Sequence, residues 1–159
     1  TAGLRWWYDS AVSHGVPFDV IGLSHYVYWH GSLSSLQSEA NDLASRYGKP
    51  VVVVETAYGF TLSGKDSLGN IFDSSLAQAG GYSASPEGQA QLVRDVLAVM
   101  ARVPGGRGLG VFYWEPAWTA VAGGGWDPTD PNSGNAWENQ ALFDYSNRPL
   151  PAMSALGAG

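Results

Sequence analysis

The chain contains no cysteine, few charged residues and no long apolar run, and each absence excludes a class of protein. Without cysteine there can be no disulfide, thiol catalysis or cysteine-ligated metal. Charged residues make up 14% of the 159 residues, and acidic residues outnumber basic ones by 14 to 8. The net charge of −6 argues against nucleic acid or an anionic membrane as a partner. No apolar stretch reaches the roughly 18 residues that would span a bilayer.

The first residues do not have the pattern of a signal peptide, because Arg5 and Asp9 interrupt any apolar segment. A secreted parent protein would therefore carry its signal upstream of this segment. The chain has about the length of one domain, and its 45% of hydrophobic residues could form a sizeable core.

The chain has few charged residues but many aromatic ones. They make up 13% of the chain and include 7 Trp and 8 Tyr. Many of these rings would lie in the core of any fold. Abundant Trp and Tyr with little charge also suits a neutral, polyhydroxylated ligand such as a sugar, because apolar sugar faces stack on aromatic rings.

Apolar periodicity predicts helices and strands in alternation. Helices are predicted over residues 4–12, 33–47 and 86–101, with a short closing helix over 149–156. Strands are predicted over residues 18–26, 51–55 and 108–115, and a long irregular stretch over 61–83. The connections are long enough for parallel pairing, which predicts an α/β fold. Three strands cannot close a barrel, so the chain is either a small open α/β sheet or, as we expect, the C-terminal part of something larger.

Glu55 is the most informative single residue. It directly follows four consecutive valines, residues 51–54, which predict a strand buried on both faces of a parallel sheet. A carboxylate in this place lies at the carboxyl end of a strand, the edge where α/β sheets carry their chemistry.

The other two predicted strands also end in polar or aromatic residues. The first ends at residues 24–26, Ser-His-Tyr, and the third at residues 112–116, Phe-Tyr-Trp-Glu-Pro. Carboxylates, tyrosines and tryptophans that converge on one sheet edge are typical of glycoside hydrolysis. One carboxylate attacks the anomeric carbon, a second acid protonates the leaving oxygen, and aromatic rings hold the sugars.

Four long motifs, in order along the chain, closely resemble the C-terminal half of glycoside hydrolase family 53. They are FDVIGLSHYVYWHG, DLASRYGKPVVVVETAY, GRGLGVFYWEPAW and GNAWENQALFDY. The family comprises endo-β-1,4-galactanases, secreted (β/α)8 (TIM) barrel enzymes that cut the galactan of type I arabinogalactan and retain anomeric configuration. The resemblance implies that residues 1–159 form part of such a catalytic domain, with strands 6, 7 and 8 and their helices, and that the N-terminal half of the barrel is the missing partner.

The resemblance also implies roles for particular residues. Glu55, in the motif ETAY, matches the family's nucleophile. Tyr26 matches a tyrosine that would donate to Glu55, orient it and favour its charged form. Trp114 matches the aromatic floor of the sugar site. Further candidates for lining the substrate cleft, each equally open to a structural interpretation, are Trp29, His30, Tyr58 and Trp118.

The family's general acid is a Glu that follows Asn at the end of strand 4, and this chain contains no Asn-Glu pair. We therefore expect the isolated chain to be inactive. Glu115 is the tempting substitute, but strand alternation would point it away from the face that Trp114 occupies, which favours a structural role. Two alternatives follow: a non-catalytic carbohydrate-binding fragment, or a small complete enzyme that pairs Glu55 with Glu115.

The sequence predicts no required cofactor. Some bacterial family members bind calcium in the loop after strand 7, and the matching segment here keeps only Asp66 and Asn70 as oxygen ligands, where calcium usually takes six to eight. Zinc is disfavoured because His25 and His30 lack suitable partner ligands. His25 also departs from the family pattern, which commonly has a tyrosine there.

Overall fold

The computed structural model describes residues 2–157, and its elements alternate as the sequence predicts. The helices are Ala2–Ser13 (α1), Val27–His30 (α2), Leu33–Tyr47 (α3), Ser74–Gly80 (α4), Pro86–Ala101 (α5) and Pro151–Leu156 (α6). The strands are Ile21–Ser24 (β1), Val51–Glu55 (β2) and Gly108–Val111 (β3), and short 3-10 turns cover Pro104–Gly106 and Glu138–Gln140. No helix within residues 2–157 is long and apolar enough to cross a bilayer.

The three strands form one parallel sheet in the order β1-β2-β3. Helix α3 connects β1 to β2, and α5 precedes β3, as parallel crossovers require. Both pairings contain an irregularity. Leu23 pairs with Val53 but the next residue, Ser24, pairs with Glu55, and β3 carries an extra residue between its two pairings with β2.

One face of the sheet is covered by helices. Val51 and Val53 join a buried cluster with Leu36, Leu43 and Val96 from α3 and α5. Gly108 faces the same layer at very close range, because a Cβ there would lie 1.8 Å from the carbonyl oxygen of Met100 in α5. Glycine is therefore required at the point where α5 crosses β3.

The opposite face, which we call the bare face, has no covering layer within residues 2–157. Gly22 and Val54 share this face, because a Cβ on Gly22 would contact the Val54 side chain. Leu109 and Phe112 follow residues that face the helix layer and are themselves exposed. The expectation that all four valines of β2 are buried on both sides is thus wrong for Val54.

The bounds of the predicted helices and of β2 agree well with prediction, but those of the other two strands do not. β1 and β3 are shorter than predicted, because α2 begins right after Tyr26 and pairing with β2 stops soon after Val111. The stretch 61–83 is also not wholly irregular. It contains α4, where the side chain of Asp73 accepts a hydrogen bond from the backbone of Leu76 at 2.9 Å and caps the helix.

Candidate active site

Glu55 lies at the carboxyl end of β2, at the irregularity in the β1–β2 pairing. Its backbone remains in the sheet, because its carbonyl accepts a hydrogen bond from the backbone of His25 at 2.8 Å. Its side chain is half-buried. A bulge of this kind re-aims a side chain at the rim of a sheet, which lets Glu55 leave the helix-covered face occupied by Val53.

Tyr26 holds this carboxylate. The Tyr26 hydroxyl donates to Oε2 of Glu55 at 3.0 Å, the contact that the sequence predicts. The Tyr26 ring is buried. Burial first, and then the hydrogen bond to Glu55, raise the pKa of the Tyr26 phenol well above its ordinary value. The phenol therefore keeps its proton and remains a donor across the physiological range.

The first strand end builds an aromatic cluster around Tyr26. Its backbone N–H donates to Nδ1 of His30 at 3.0 Å, so His30 supports the turn into α2. The ring of Trp29 lies 5.3 Å from that of Tyr26 and is 49% exposed, as a sugar-stacking surface requires. Trp137, which we did not predict, packs its buried ring edge-on against Tyr26 at 5.9 Å.

The third strand end brings Trp114 next to β2. Its backbone N–H donates to the carbonyl of Thr56 at 2.9 Å, and its ring is 42% exposed. Trp114 and Trp29 thus both present aromatic surface beside the segment that contains Glu55. Trp118 is less available, because it is only partly exposed and packs against the main core cluster.

Tyr58 does not line a cleft, which corrects the prediction made for it. Its side chain is fully buried in the core beneath α4. Its hydroxyl donates to the carbonyl of Ala77 or Tyr82, at 3.0 and 2.7 Å, and its ring packs edge-on against Phe72 at 4.7 Å. Tyr58 therefore anchors α4 to the sheet.

Glu115 lies beyond the point at which strand alternation applies. β3 ends at Val111, and Glu115 adopts a left-handed backbone conformation with φ of 49°, which is uncommon for a residue other than glycine. Burial, Glu55 and Tyr113 raise the pKa of the Tyr26 phenol, and the charge of Glu115 is the smallest cause in the same direction. Because Glu115 lies outside β3, strand alternation does not determine where its side chain points.

Asp66, one of the two oxygen ligands that the calcium comparison named, anchors its loop instead. The Asp66 carboxylate accepts hydrogen bonds from the backbone of Leu68 at 2.8 Å and Asn135 at 2.6 Å. Within the described part of the chain, no group of three or more His, Asp or Glu residues is placed to hold a metal ion. His25 is buried, and burial followed by the charge of His30 lowers the pKa of its imidazole.

Sequence reasoning also missed three interior polar residues behind the site: Gln89 on α5 and Gln140, which are buried, and Tyr113 after β3, which is partly buried. Gln89 and Tyr113 bond to each other and to the backbone of Tyr58, and Tyr113 also donates to the carbonyl of Gln140. One signal for them was present. Gln89 lies on the apolar stripe of its helix, four residues before Val93, and a polar residue in that place needs a hydrogen-bonding partner inside the fold.

Comparisons with known proteins identify relatives of this chain. The family model described as "Glycosyl hydrolase family 53" matches residues 1–156. An endo-β-1,4-galactanase of Bacillus subtilis is 40% identical over 87% of this chain and 38% of its own length. An arabinogalactan endo-β-1,4-galactanase of Cellvibrio japonicus is 39% identical over 93% of this chain and 38% of its own length.

A solved structure, the family 53 catalytic domain of Ignisphaera aggregans, superposes with a TM-score of 0.88 at 42% identity. The superposition covers 94% of this chain and 41% of that domain. The chain thus spans about two fifths of the length of the relatives it matches. It belongs to glycosyl hydrolase family 53, and its three parallel strands with their helices form the C-terminal part of a (β/α)8 barrel.

Proposed function

We propose that this chain carries the nucleophile, Glu55, of a retaining endo-β-1,4-galactanase that acts on the β-1,4-galactan of type I arabinogalactan outside the cell. The observation that carries the proposal is the hydrogen bond from Tyr26 to Glu55 at a sheet edge flanked by two exposed tryptophans. The relatives that bear the name galactanase support the substrate.

In this proposal Glu55 attacks the anomeric carbon of a galactosyl unit and forms an ester while the bond to the leaving oxygen breaks. Water then cleaves the ester, and the two inversions together retain the configuration. Tyr26 holds one oxygen of Glu55 in place, which leaves the other oxygen for attack. Trp114 and Trp29 stack on the sugar faces and orient the scissile bond.

Retaining hydrolysis needs a second carboxyl group about 5–5.5 Å from the nucleophile, to protonate the leaving oxygen. We propose that the first half of the barrel supplies it, from the Asn-Glu pair that the family resemblance implies at the end of strand 4. The same half of the barrel would cover the bare face, where apolar side chains of β2 and β3 are exposed. Contiguous exposed apolar surface of this kind is typical of an interaction site.

Glu115 carries a second candidate function, in which this chain alone is a complete enzyme. Its left-handed backbone frees it from strand alternation, and its charge reaches Tyr26. In that case Glu115 protonates the leaving oxygen and no second half is required. A third candidate, non-catalytic galactan binding, rests on the exposed aromatic rings alone.

The nucleophile can be tested without any general acid. A 2,4-dinitrophenyl 2-deoxy-2-fluoro-β-galactobioside has a leaving group that departs without protonation, and its fluorine slows hydrolysis of the ester. We expect it to label Glu55 covalently, both in this chain and in a fusion of this chain behind the first half of a family 53 barrel. Peptide mass spectrometry locates the label. Glu55→Gln should abolish labelling and lower galactan hydrolysis by the fusion about 10⁴-fold or more.

Glu115→Gln is the matched control, because it removes a neighbouring carboxylate of the same size. Unchanged hydrolysis by the fusion carrying Glu115→Gln supports an acid from the other half of the barrel. Hydrolysis of galactan by the isolated chain that is lost in Glu115→Gln would establish the second candidate instead. Labelling at any residue other than Glu55, or wild-type hydrolysis by Glu55→Gln, would overturn the nucleophile assignment.

A further inference from the structure

A buried amide lies directly behind the segment that follows Glu55. Gln89 on α5 is fully buried. Its Nε2 group is within hydrogen-bond distance of the carbonyls of Tyr58 at 2.8 Å and Ala141 at 3.0 Å. The two hydrogens of the amide can satisfy both acceptors at once. Gln89 therefore connects the chain after β2 to the chain after the 3-10 turn Glu138–Gln140.

The Tyr113 hydroxyl bonds to the backbone of the same residue. It accepts a hydrogen bond from the backbone N–H of Tyr58 at 3.0 Å. Its own hydrogen can go to the carbonyl of Gln140, which lies 2.8 Å away. Tyr58 thus has its backbone N–H and its carbonyl both held by interior side chains from other parts of the chain, although Tyr58 itself belongs to no helix or strand.

These contacts join all three strand ends. After β1, the Tyr28 hydroxyl donates to Oε1 of Gln140 at 2.6 Å. After β3, the backbone of Trp114 donates to the carbonyl of Thr56, the residue that follows Glu55. The segment 55–58 is therefore held at Glu55 by Tyr26, at Thr56 by Trp114, and at Tyr58 by Tyr113 and Gln89.

Packing alone does not account for this choice of residues. Oε1 of Gln89 is buried and has no hydrogen-bond partner within residues 2–157, and the same holds for Nε2 of Gln140. An apolar side chain at position 89 would bury no unpaired amide oxygen, but it would take the amide donor away from the carbonyls of Tyr58 and Ala141. Donors that are kept at such a cost are typical of places where geometry matters for function.

We propose that Tyr113 and Gln89 are positioning residues that fix the backbone of residues 56–58 and thereby the aim of Glu55. This inference rests on the proposed nucleophilic role of Glu55. Attack requires the carboxylate oxygen to stand in line with the anomeric carbon at about 3–3.5 Å, and a misplacement of about 1 Å can lower a rate about 100-fold. We call the hydrogen bonds that Tyr113 and Gln89 form with the backbone of Tyr58 the clamp. Loss of the clamp should therefore lower the rate of attack, whereas sugar binding by the exposed tryptophans should be unchanged.

The test compares two tyrosine hydroxyl deletions. Tyr113→Phe removes the hydroxyl from the clamp and keeps the ring. Tyr82→Phe is the control, because the hydroxyl that it deletes donates to Asp95 of α5 at 2.9 Å, while the ring and backbone of Tyr82 that contact Tyr58 are kept. In the fusion and in the chain alone, the rate constant of covalent labelling by the fluorogalactobioside is separated from its apparent binding constant. Amide hydrogen exchange of residues 55–60 is measured in the same variants.

We expect Tyr113→Phe to lower the labelling rate constant by about tenfold or more with an apparent binding constant within about twofold, and Tyr82→Phe to change neither. Equal labelling rates in Tyr113→Phe and wild type would overturn the inference while leaving Glu55 as the nucleophile. If the wild-type protein is not labelled, the proposed function fails, and amide hydrogen exchange alone tests whether the clamp fixes the backbone.

Faster amide exchange at residues 56–58 in Tyr113→Phe but not in Tyr82→Phe supports the clamp, and unchanged exchange refutes it. If Tyr113→Phe does not fold, Gln89→Met replaces it, with the same outcomes expected.

Discussion

Both faces of the sheet carry apolar side chains, but they differ in how far those side chains are covered. On the face toward α3 and α5, Ile21, Leu23, Val51 and Val53 are each at most 5% exposed. On the bare face, Val52 in the central strand is 8% exposed, whereas Val54 is 38%, Leu109 57% and Phe112 65% exposed. Burial of apolar area is the main driving force of folding. The helix-covered face therefore contributes to the stability of the fold, whereas the exposed side chains of the bare face contribute little.

The covered side of the molecule fixes the geometry of the candidate site, and the bare side is where a further part of the barrel would pack. Every contact found for the backbone of residues 55–58 comes from elements of the helix-covered half of the molecule or from the neighbouring strand ends. The bare face supplies exposed apolar and aromatic surface. We therefore expect the C-terminal part of the barrel to be sufficient to aim the proposed nucleophile, Glu55, whereas the acid is proposed to come from the part that covers the bare face.

Alkaline pH should give the largest effect on stability, because several phenols are buried or partly buried in the fold. Burial is the first cause that raises the pKa of Tyr28, Tyr82 and Tyr113 above the ordinary value of 10.0. Since the unfolded chain loses these protons first, folding stability is fully present below pH 10 and falls as the pH rises above it. Circular dichroism and absorbance at 295 nm against pH follow unfolding and ionisation together.

Tyr28→Phe sharpens this expectation. It removes one phenol with a strongly raised pKa, so the alkaline fall in stability should become less steep and its midpoint should move to higher pH. Stability that stays constant from pH 9 to pH 12 would contradict the assignment of these hydroxyls to the interior.

A pair of leucine truncations tests the two faces directly. Leu43 on α3 is completely buried, so Leu43→Ala should lower the free energy of unfolding by about 2–5 kcal/mol. Leu109→Ala removes the same atoms from the bare face and should change it by less than about 0.5 kcal/mol in the isolated chain. Urea denaturation of both variants measures the difference. Similar losses in the two would mean that a further layer, such as a second copy of the chain, covers the bare face.

The helices and their ends could be predicted because their signals are local. The apolar stripe of α3 and the Ser85-Pro86 start of α5 lie within a few residues of the structure they determine. The presence of a carboxylate at the end of β2 followed from the valine run in the same way. The partner of Glu55 was predicted through the family resemblance, and the structure places it at 3.0 Å.

The errors lie where distant elements decide. Whether Tyr58 lines a cleft or enters the core depends on α4 and Phe72, and Phe72 fits beneath this segment only because Gly59 has no side chain: a Cβ there would lie 2.2 Å from its ring. No periodicity in residues 61–83 signalled that packing. The left-handed turn at Glu115 likewise depends on how the chain leaves β3, and a glutamate carries no local signal for it.

When the first half of a barrel covers the bare face, truncation of an apolar side chain on that face should become destabilising. In the fusion behind the first half of a family 53 barrel, Leu109 would face the interior of the closed barrel. Leu109→Ala should then lower the free energy of unfolding by about 2 kcal/mol, at the low end of the range for buried leucines. Val121→Ala, at an exposed side chain of the loop after β3, is a matched apolar truncation and should have little effect. Equal, small changes in both would show that the fusion does not cover the bare face.

The smallest expected effect concerns the start of α5, where helix cover and site meet. The Ser85 hydroxyl accepts a hydrogen bond from the backbone of Gly88 at 3.0 Å and caps the helix one turn before Gln89. Ser85→Ala should lower the free energy of unfolding by about 1 kcal/mol. Ser38→Ala, at an exposed position within α3, should be neutral or slightly stabilising, because alanine favours helix.

The informative measurement on Ser85→Ala is the amide exchange rate of each residue, because it locates the region that the loss of the cap destabilises. The backbone of Gln89 donates to the carbonyl of Ser85 at 2.9 Å, so fraying of the first turn loosens the residue whose amide holds Tyr58. Amide exchange should therefore quicken at residues 56–58 as well as in the first turn of α5, although Ser85 contacts none of those residues. Faster exchange confined to α5 would show that the helix-covered side stabilises the strand end without setting its geometry.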